Sequence, residues 1–314
     1  MVRYRIELGH NSDIRQTKPF TEGGVVIFNM FLTCTRGQLF SSYLYECHQT
    51  ALLSSITMIV LLGFILIALC SCEGSNYTDE FARKYMYILS AAAYSDAPSK
   101  CMERFENATV HNQTYANCTG NCSGFTAVIH EKKAIVLSFR GTTDMQQLFA
   151  EIKDSTFKEW SNWTHGGRVS KYFSDAFLSL WEGGMEKDFE NLTTYYQNYE
   201  IWVTGHSLGG ALATLAASVV AGKHNRTNVK LVTFGQPRVG DETFAKKHNE
   251  MVNFSYRVIY WSDVVPTVPC YFVQGFRHQG IEVFYSDMDS TTNSKHTVCK
   301  RGENCELLWN GRMQ

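Results

Sequence analysis

The chain has no excess of basic residues: 29 Lys and Arg stand against 30 Asp and Glu, for a formal net charge of −1 and a pI near 6.8. Without a basic footprint, nucleic acid is not expected as a partner. No His-Glu-x-x-His occurs, and Cys118-x-x-x-Cys122 has no matching downstream pair with histidines at ligand spacing, so no metal is expected. Low-complexity linkers and internal repeats are also missing, and residues 75–314 therefore read as one domain. Charge is absent altogether from residues 51–70, "ALLSSITMIVLLGFILIALC", a run long enough to cross a bilayer. What is plentiful is apolar surface: 44% hydrophobic and 13% aromatic residues are ample for a packed core and argue against disorder.

The uncharged run divides the chain. Residues 1–50 have no clear periodicity or motif and read as a non-catalytic extension, or as an artefact of gene prediction. Residues 51–74 are open to two readings. They form a signal-anchor, or translation begins at Met58 and "MIVLLGFILIALCSC" is a signal peptide cleaved near residues 70–74. The second is preferred. Nine Asn-x-Ser/Thr sequons, at Asn76, Asn107, Asn112, Asn117, Asn121, Asn162, Asn191, Asn225 and Asn253, all follow the run and none precedes it. This one-sided placement marks a secretory compartment and a secreted glycoprotein, the alternative being a single-pass anchored form with its domain in the lumen. Six cysteines after Cys72 (Cys101, Cys118, Cys122, Cys270, Cys299, Cys305) allow up to three disulfides. Clustering suggests Cys299 with Cys305, and Cys101 with Cys118 or Cys122.

Within the domain, "TDEFARKYMYILSAAAYS" is expected to be a helix capped by Thr78. Residues 95–125, with three cysteines and four sequons, are expected to be an exposed loop pinned by disulfides. "TAVIHE" and "KAIVLSFRG" read as a hairpin, and "IWVTG", "VKLVTFG" and "YRVIYW" as later strands separated by helical stretches. Apolar strands alternating with helices predict an α/β domain whose sheet is buried on both faces.

The chemistry centres on "EIWVTGHSLGGALATLAASVVAG", residues 200–222, which places Ser207 between Gly205 and Gly209. Gly-x-Ser-x-Gly arises by chance in about one chain in ten of this length, so context decides. A strand before it and a small-residue helix after it make a nucleophile elbow, whose strained turn projects the serine hydroxyl. A serine that merely caps the helix is the competing reading. In such an architecture the acid follows a later strand, in the order Ser, Asp, His. Asp263, ending "YRVIYWSD", is preferred over Asp241 in "PRVGD", and its role is to orient a protonated imidazole. The backbone N–H of Leu208 is one oxyanion donor.

Four stretches in order, "IVLSFRGTT", "GHSLGGALATLAA", "LVTFGQPRVGD" and "YRVIYWSDVVPTVP", resemble the class 3 (fungal-type) triacylglycerol lipase family over most of residues 78–300, in a secreted form like those of nematodes. The resemblance implies an α/β-hydrolase fold, with a mostly parallel central sheet and helices on both faces. It also implies cleavage of lipid esters through an acyl-enzyme, a lipid ester as substrate, transient contact with a lipid interface, and no cofactor. Thr142, in the family's Arg-Gly-Ser/Thr turn, becomes the second oxyanion donor. The stripe Met145, Leu148, Phe149 and Ile152, one apolar face of a short helix, falls where the family carries a mobile lid. Asp241 falls in a structural turn, and His206 is an elbow residue rather than the base. The family's base lies near the domain's end in a His-x-x-Tyr-Phe-Gly context, which does not occur here; the chain runs "ENCELLWNGRMQ" after Gly302. After Asp263 only His278 and His296 remain, the latter following the strand "IEVFYS". The domain is therefore expected to be incomplete at its C-terminal end. An impaired protein of this fold that binds lipid or a partner is the alternative to an enzyme.

Overall fold

Each of the apolar runs named above becomes a strand, and the reason is visible in their alternation. In the third strand Ile135, Leu137 and Phe139 enter one buried cluster while Ala134 and Val136 enter another. Ile201 and Val203 join the first cluster, and Trp202 between them the second. Successive side chains of a strand point to opposite faces, so a run with no polar alternation can only be satisfied by protein on both sides. The structure is a computed structural model, and the residues it describes are 76–118, 122–142, 159–261, 263–270, 275–286 and 295–299. They belong to one compact unit, Cys72–Gln314. The candidate signal segment 51–74, the extension 1–50, the lid stripe from Met145 to Ile152, and Cys305 lie outside the described residues.

The strands are β1 (Ala108–Ala116), β2 (Cys122–Ile129), β3 (Ala134–Phe139), β4 (Trp160–Asn162), β5 (Arg168–Ser170), β6 (Glu200–His206), β7 (Val229–Phe234), β8 (Phe254–Tyr260), β9 (Ile281–Tyr285) and β10 (His296–Val298). Eight form one sheet in the order β1-β2-β3-β6-β7-β8-β9-β10, and β4 pairs with β5 separately. From β3 to β9 the neighbours run parallel; β1-β2, β2-β3 and β9-β10 are antiparallel.

The helices are α1 (Asp79–Phe81, continuing through the π-turn Ala82–Met86 into Tyr87–Ala92), α2 (Pro98–Met102), α3 (Lys171–Leu180), α4 (Glu186–Tyr195), α5 (Leu208–Gly222) and α6 (Glu242–Met251). Thr78 caps α1 as expected, its hydroxyl accepting from the Phe81 amide at 3.2 Å. Residues Leu208 to Val220 of α5 are buried throughout, which only a helix of small and aliphatic residues lying against a sheet tolerates. Among the described residues no helix is long and apolar enough to cross a membrane.

Two expectations are corrected. Residues 95–125 are not a loop: they hold α2 and the nine-residue strand β1, paired with β2 in register from Ala108↔Ile129 to Ala116↔Cys122. This edge strand has one mostly solvated face, so its Thr, Asn, Gln and His residues disguised it. Cys118 bonds Cys122 across the connection from β1 to β2, and Cys101 carries no disulfide, so its pairing with either is excluded. A separation of four residues at the end of a hairpin brings the two Cα atoms to 5.7 Å, inside the range a disulfide spans. Cys299 is disulfide-bonded.

Asp241, the rival acid, is the N-cap of α6. Its Oδ1 accepts from the amides of Phe244 (2.9 Å) and Arg168 (3.1 Å), and its Oδ2 meets the Arg168 guanidinium at 3.1 Å. Burial pushes its pKa up, but these donors outweigh it and hold the carboxyl below the ordinary carboxylate range. A depressed folded-state pKa stabilises above the unfolded value, about 3.9, and that contribution is lost as pH falls through the folded one. Asp241→Ala is therefore expected to cost about 1–2 kcal/mol at neutral pH. In thermal melts the gap from wild type should narrow below about pH 4. A gap of constant size across that range would contradict the assignment.

Candidate active site

Parallel strands bring their carboxyl ends to one edge of a sheet, and in open α/β sheets that edge is where ligands bind. Here Thr142 follows β3, Ser207 follows β6, and Asp263 follows β8. β3 and β6 are neighbours, and one strand, β7, separates β6 from β8. At a strand spacing of about 4.8 Å, the strands that carry Ser207 and Asp263 are about 10 Å apart.

The turn between β6 and α5 is the sharp elbow that Gly-x-Ser-x-Gly predicts. Ser207 sits at φ 56°, ψ −126°, a left-handed conformation that is strained for a residue with a side chain. Its amide donates to Phe234 O at 2.9 Å, and its carbonyl accepts from Gly210 N at 2.9 Å. The flanking glycines are needed for space. A Cβ on Gly205 would collide with the Gly209 backbone, and one on Gly209 with the carbonyl of Phe139. Ser207 is fully buried, and among the described residues its Oγ has no hydrogen-bond partner. Leu208 opens the 15-residue α5, so its N–H is one of the first-turn amides that point out of a helix at the positive end of its dipole. Thr142 is half-buried in the turn after β3, one residue past Gly141.

Asp263 leads into the short 3₁₀ turn Val265–Thr267, whose first amide donates to its Oδ1 at 3.0 Å. Its carboxyl pKa is raised by burial, against the Val265 amide and the charge of His206, which act to lower it. Asp263 and His206 share the wall of a cavity of about 880 Å³, with Phe234, Val258 and Val265 among its apolar walls. Ser207 is not in that wall. His206 keeps contact with solvent through the cavity, yet the protein packed around its ring holds its pKa below the ordinary histidine value, with Asp263 opposing.

The two histidines downstream of Asp263 have other partners. His278 directs Nε2 at the carbonyl of Pro266, 2.9 Å away, in the loop beyond Asp263. His296 pairs with Tyr285 on β10, where its ring lies 5.2 Å from that of Tyr285 and 5.5 Å from that of Tyr77. Its strand is four away from β6, about 19 Å at ordinary strand spacing, far outside hydrogen-bond reach of Ser207. Away from this edge, Glu186, Glu190 and His224 come close enough together to share an ion, but Lys223 Nζ already sits 2.5 Å from Glu186 Oε1. Tyr94, which sequence reasoning passed over, touches the site: its hydroxyl is 2.8 Å from His206 Nδ1. A contact between residues 112 apart leaves no local signal.

A mostly parallel sheet with helices, a strained Gly-x-Ser-x-Gly elbow and an aspartate after a later strand are arranged as in the α/β-hydrolase fold. Residues 136–272 match the model of the class 3 lipase family. The chain is 35% identical over 223 residues to Lipase ZK262.3 of Caenorhabditis elegans, covering 66% of this chain and 62% of that protein. It is 30% identical over 194 residues to the secreted mono- and diacylglycerol lipase A of Penicillium cyclopium, covering 61% of each. The matches thus span about six-tenths of these relatives' length. Among solved structures it is similar to the Rhizomucor miehei lipase in its propeptide complex (25% identity, TM-score 0.60, 71% of this chain and 73% of that one). It is also similar to a triacylglycerol lipase whose catalytic centre is described as a serine protease triad (25% identity, TM-score 0.62, 72% and 86%).

Proposed function

We propose that the protein hydrolyses lipid esters through Ser207. The observation that carries this reading is the strained elbow: a left-handed, fully buried serine at the mouth of α5, with both flanking positions closed to any residue but glycine. In this reading Ser207 Oγ attacks the ester carbonyl, its proton passes to a base, and the alkoxide leaves as the alcohol. The backbone amides of Leu208 and Thr142 receive the negative charge that develops on the carbonyl oxygen. Water then releases the fatty acid from the acyl-enzyme. Asp263 orients and stabilises the base. The substrate is a lipid ester met transiently at a lipid interface, and the similarity to lipases supports the first. The test compares turnover of short- and long-chain p-nitrophenyl esters by wild type and Ser207→Ala.

A second reading, a fold retained for binding lipid or a partner, has a specific observation behind it: Ser207 Oγ has no hydrogen-bond partner among the described residues, so neither His278 nor His296 hydrogen-bonds it.

We further propose that residues 75–314 are secreted after cleavage near residues 70–74, on the strength of the uncharged run and the nine sequons behind it. N-terminal sequencing of protein from culture medium is expected to begin between Cys70 and Tyr77. Protein found only in membranes with residues 1–50 intact would contradict this.

A further inference from the structure

We propose that Tyr94 is a positioning residue that ties the oxyanion turn to the nucleophile elbow; the proposal rests on Ser207 being the nucleophile. Tyr94 stands just beyond the last turn of α1. Its phenol oxygen is approached by two other elements: His206 Nδ1 lies 2.8 Å away, and Gly141 packs so close that a Cβ there would collide with the same atom. The phenol pKa is pushed up to about 12, by burial first, with the Gly141 hydrogen bond and the Arg140 charge acting against it. The group is therefore a neutral phenol at physiological pH, with one proton to give and lone pairs to receive.

That bookkeeping sets the direction of the network. The Gly141 backbone acts to lower the phenol pKa, and its amide has only a proton to offer to that oxygen. The phenol proton then goes to His206 Nδ1, which accepts it only as a neutral imidazole, consistent with the lowered pKa of that ring. The remaining ring proton sits on Nε2, on the side of Asp263: a Cβ on Gly235 would lie 2.5 Å from Asp263 Oδ2 and 3.5 Å from His206 Nε2. One hydroxyl thus joins the end of α1, the turn after β3 and the turn after β6, and the chain of donors points on towards the acid.

The packing leaves this link little slack. A Cβ on Gly141 would collide with the Tyr94 hydroxyl and the His206 carbonyl, and would lie 3.3 Å from Ser207 Cβ. Gly141 is therefore clamped between the tyrosine and the nucleophile, and the next amide in the chain is that of Thr142. An oxyanion donor is effective only if it is already aimed where the charge will appear. A displacement of about 1 Å costs roughly 10²-fold in rate. Tyr94→Phe keeps the ring and removes only the hydroxyl, so its effect is expected on the chemical step rather than on ligand affinity.

The experiment measures two quantities on the full secreted chain, wild type and Tyr94→Phe. The first is inactivation by a fluorophosphonate, in which Ser207 Oγ displaces fluoride from phosphorus and its proton is lost with the fluoride. The maximal inactivation rate is expected to fall by roughly 10- to 100-fold, with the half-saturating probe concentration unchanged. The second is hydrogen exchange at the Gly141 amide, expected to quicken at least tenfold while core amides of β6 keep wild-type protection. His206→Gln, which removes the imidazole that accepts the phenol proton, should quicken exchange at Gly141 as well. Unchanged exchange at Gly141 in Tyr94→Phe would overturn the tie, and faster exchange with an unchanged inactivation rate would overturn its role in positioning. A wild type that the probe does not label would instead refute Ser207 as nucleophile, with Gly141 exchange still deciding the tie.

Discussion

Ser207→Ala is expected to lower ester hydrolysis by at least about 10³-fold, the ceiling being the roughly 10⁶-fold loss in kcat seen when a complete triad loses its serine. Residues of a triad act as a unit, and what survives the loss of any member is catalysis by the oxyanion hole and by binding alone. The size of the drop is therefore informative. If no base serves Ser207, the hydroxyl adds little to that remnant of activity, and wild type and variant run at similar rates. Similar rates would contradict the enzyme reading and favour the binding protein. Loss of the fold does not account for such a drop, because the hydroxyl makes no hydrogen bond among the described residues and is fully buried. Removing an unsatisfied buried polar group relieves its desolvation cost. The melting temperature of the variant is expected to equal or slightly exceed that of wild type, a check that activity and stability have been separated.

The largest expected loss of stability comes from the sheet's far side. Arg257 on β8 and Glu282 on β9 are Cα partners in the parallel ladder, with side chains only 5% and 3% exposed and Arg257 Nη2 3.4 Å from Glu282 Oε2. Arg257 Nε also donates to the Gln279 carbonyl at 2.8 Å. Arginine stays charged under all ordinary conditions, so it cannot escape burial by losing a proton. Glu282→Ala removes its counter-charge and is expected to cost about 3–5 kcal/mol, a large share of the roughly 5–15 kcal/mol that holds a domain folded. Replacing both partners with apolar residues of similar volume is expected to cost much less. Chemical denaturation of the two single variants and the double variant measures the coupling. A Glu282→Ala midpoint equal to wild type would contradict it. The pair also bears on the site, because β8 delivers Asp263.

How much of this could be read from the chain depended on how local the physics was. β3, β6, β7 and β8 were legible because a strand buried on both faces must be apolar without interruption, and "KAIVLSFRG" or "IWVTG" fit neither a half-solvated strand nor an amphipathic helix. The elbow was legible because its Gly-x-Ser-x-Gly pattern falls within five residues. β1 was not, since "ATVHNQTYA" has one mostly solvated face and carries sequons that suggest a loop. Three-residue β10 left no pattern at all, and its ladder with β9 carries His296 to the edge of the sheet. The cysteine pairing depended on where β1 ends, which composition does not tell. Tyr94 was hidden for the same reason as the Asp241 contacts with Arg168: both join segments far apart in sequence, and both depend on how helices and turns meet at the sheet's edge.

The central claim is that Ser207 is an activated nucleophile rather than a buried cap of α5. The most direct measurement is to treat the secreted protein with a fluorophosphonate, digest it, and locate the adduct by mass spectrometry. A phosphonylated Ser207 in the peptide carrying "GHSLGG", absent from Ser207→Ala, is the predicted result. An unmodified Ser207 after prolonged exposure of folded protein would contradict the account.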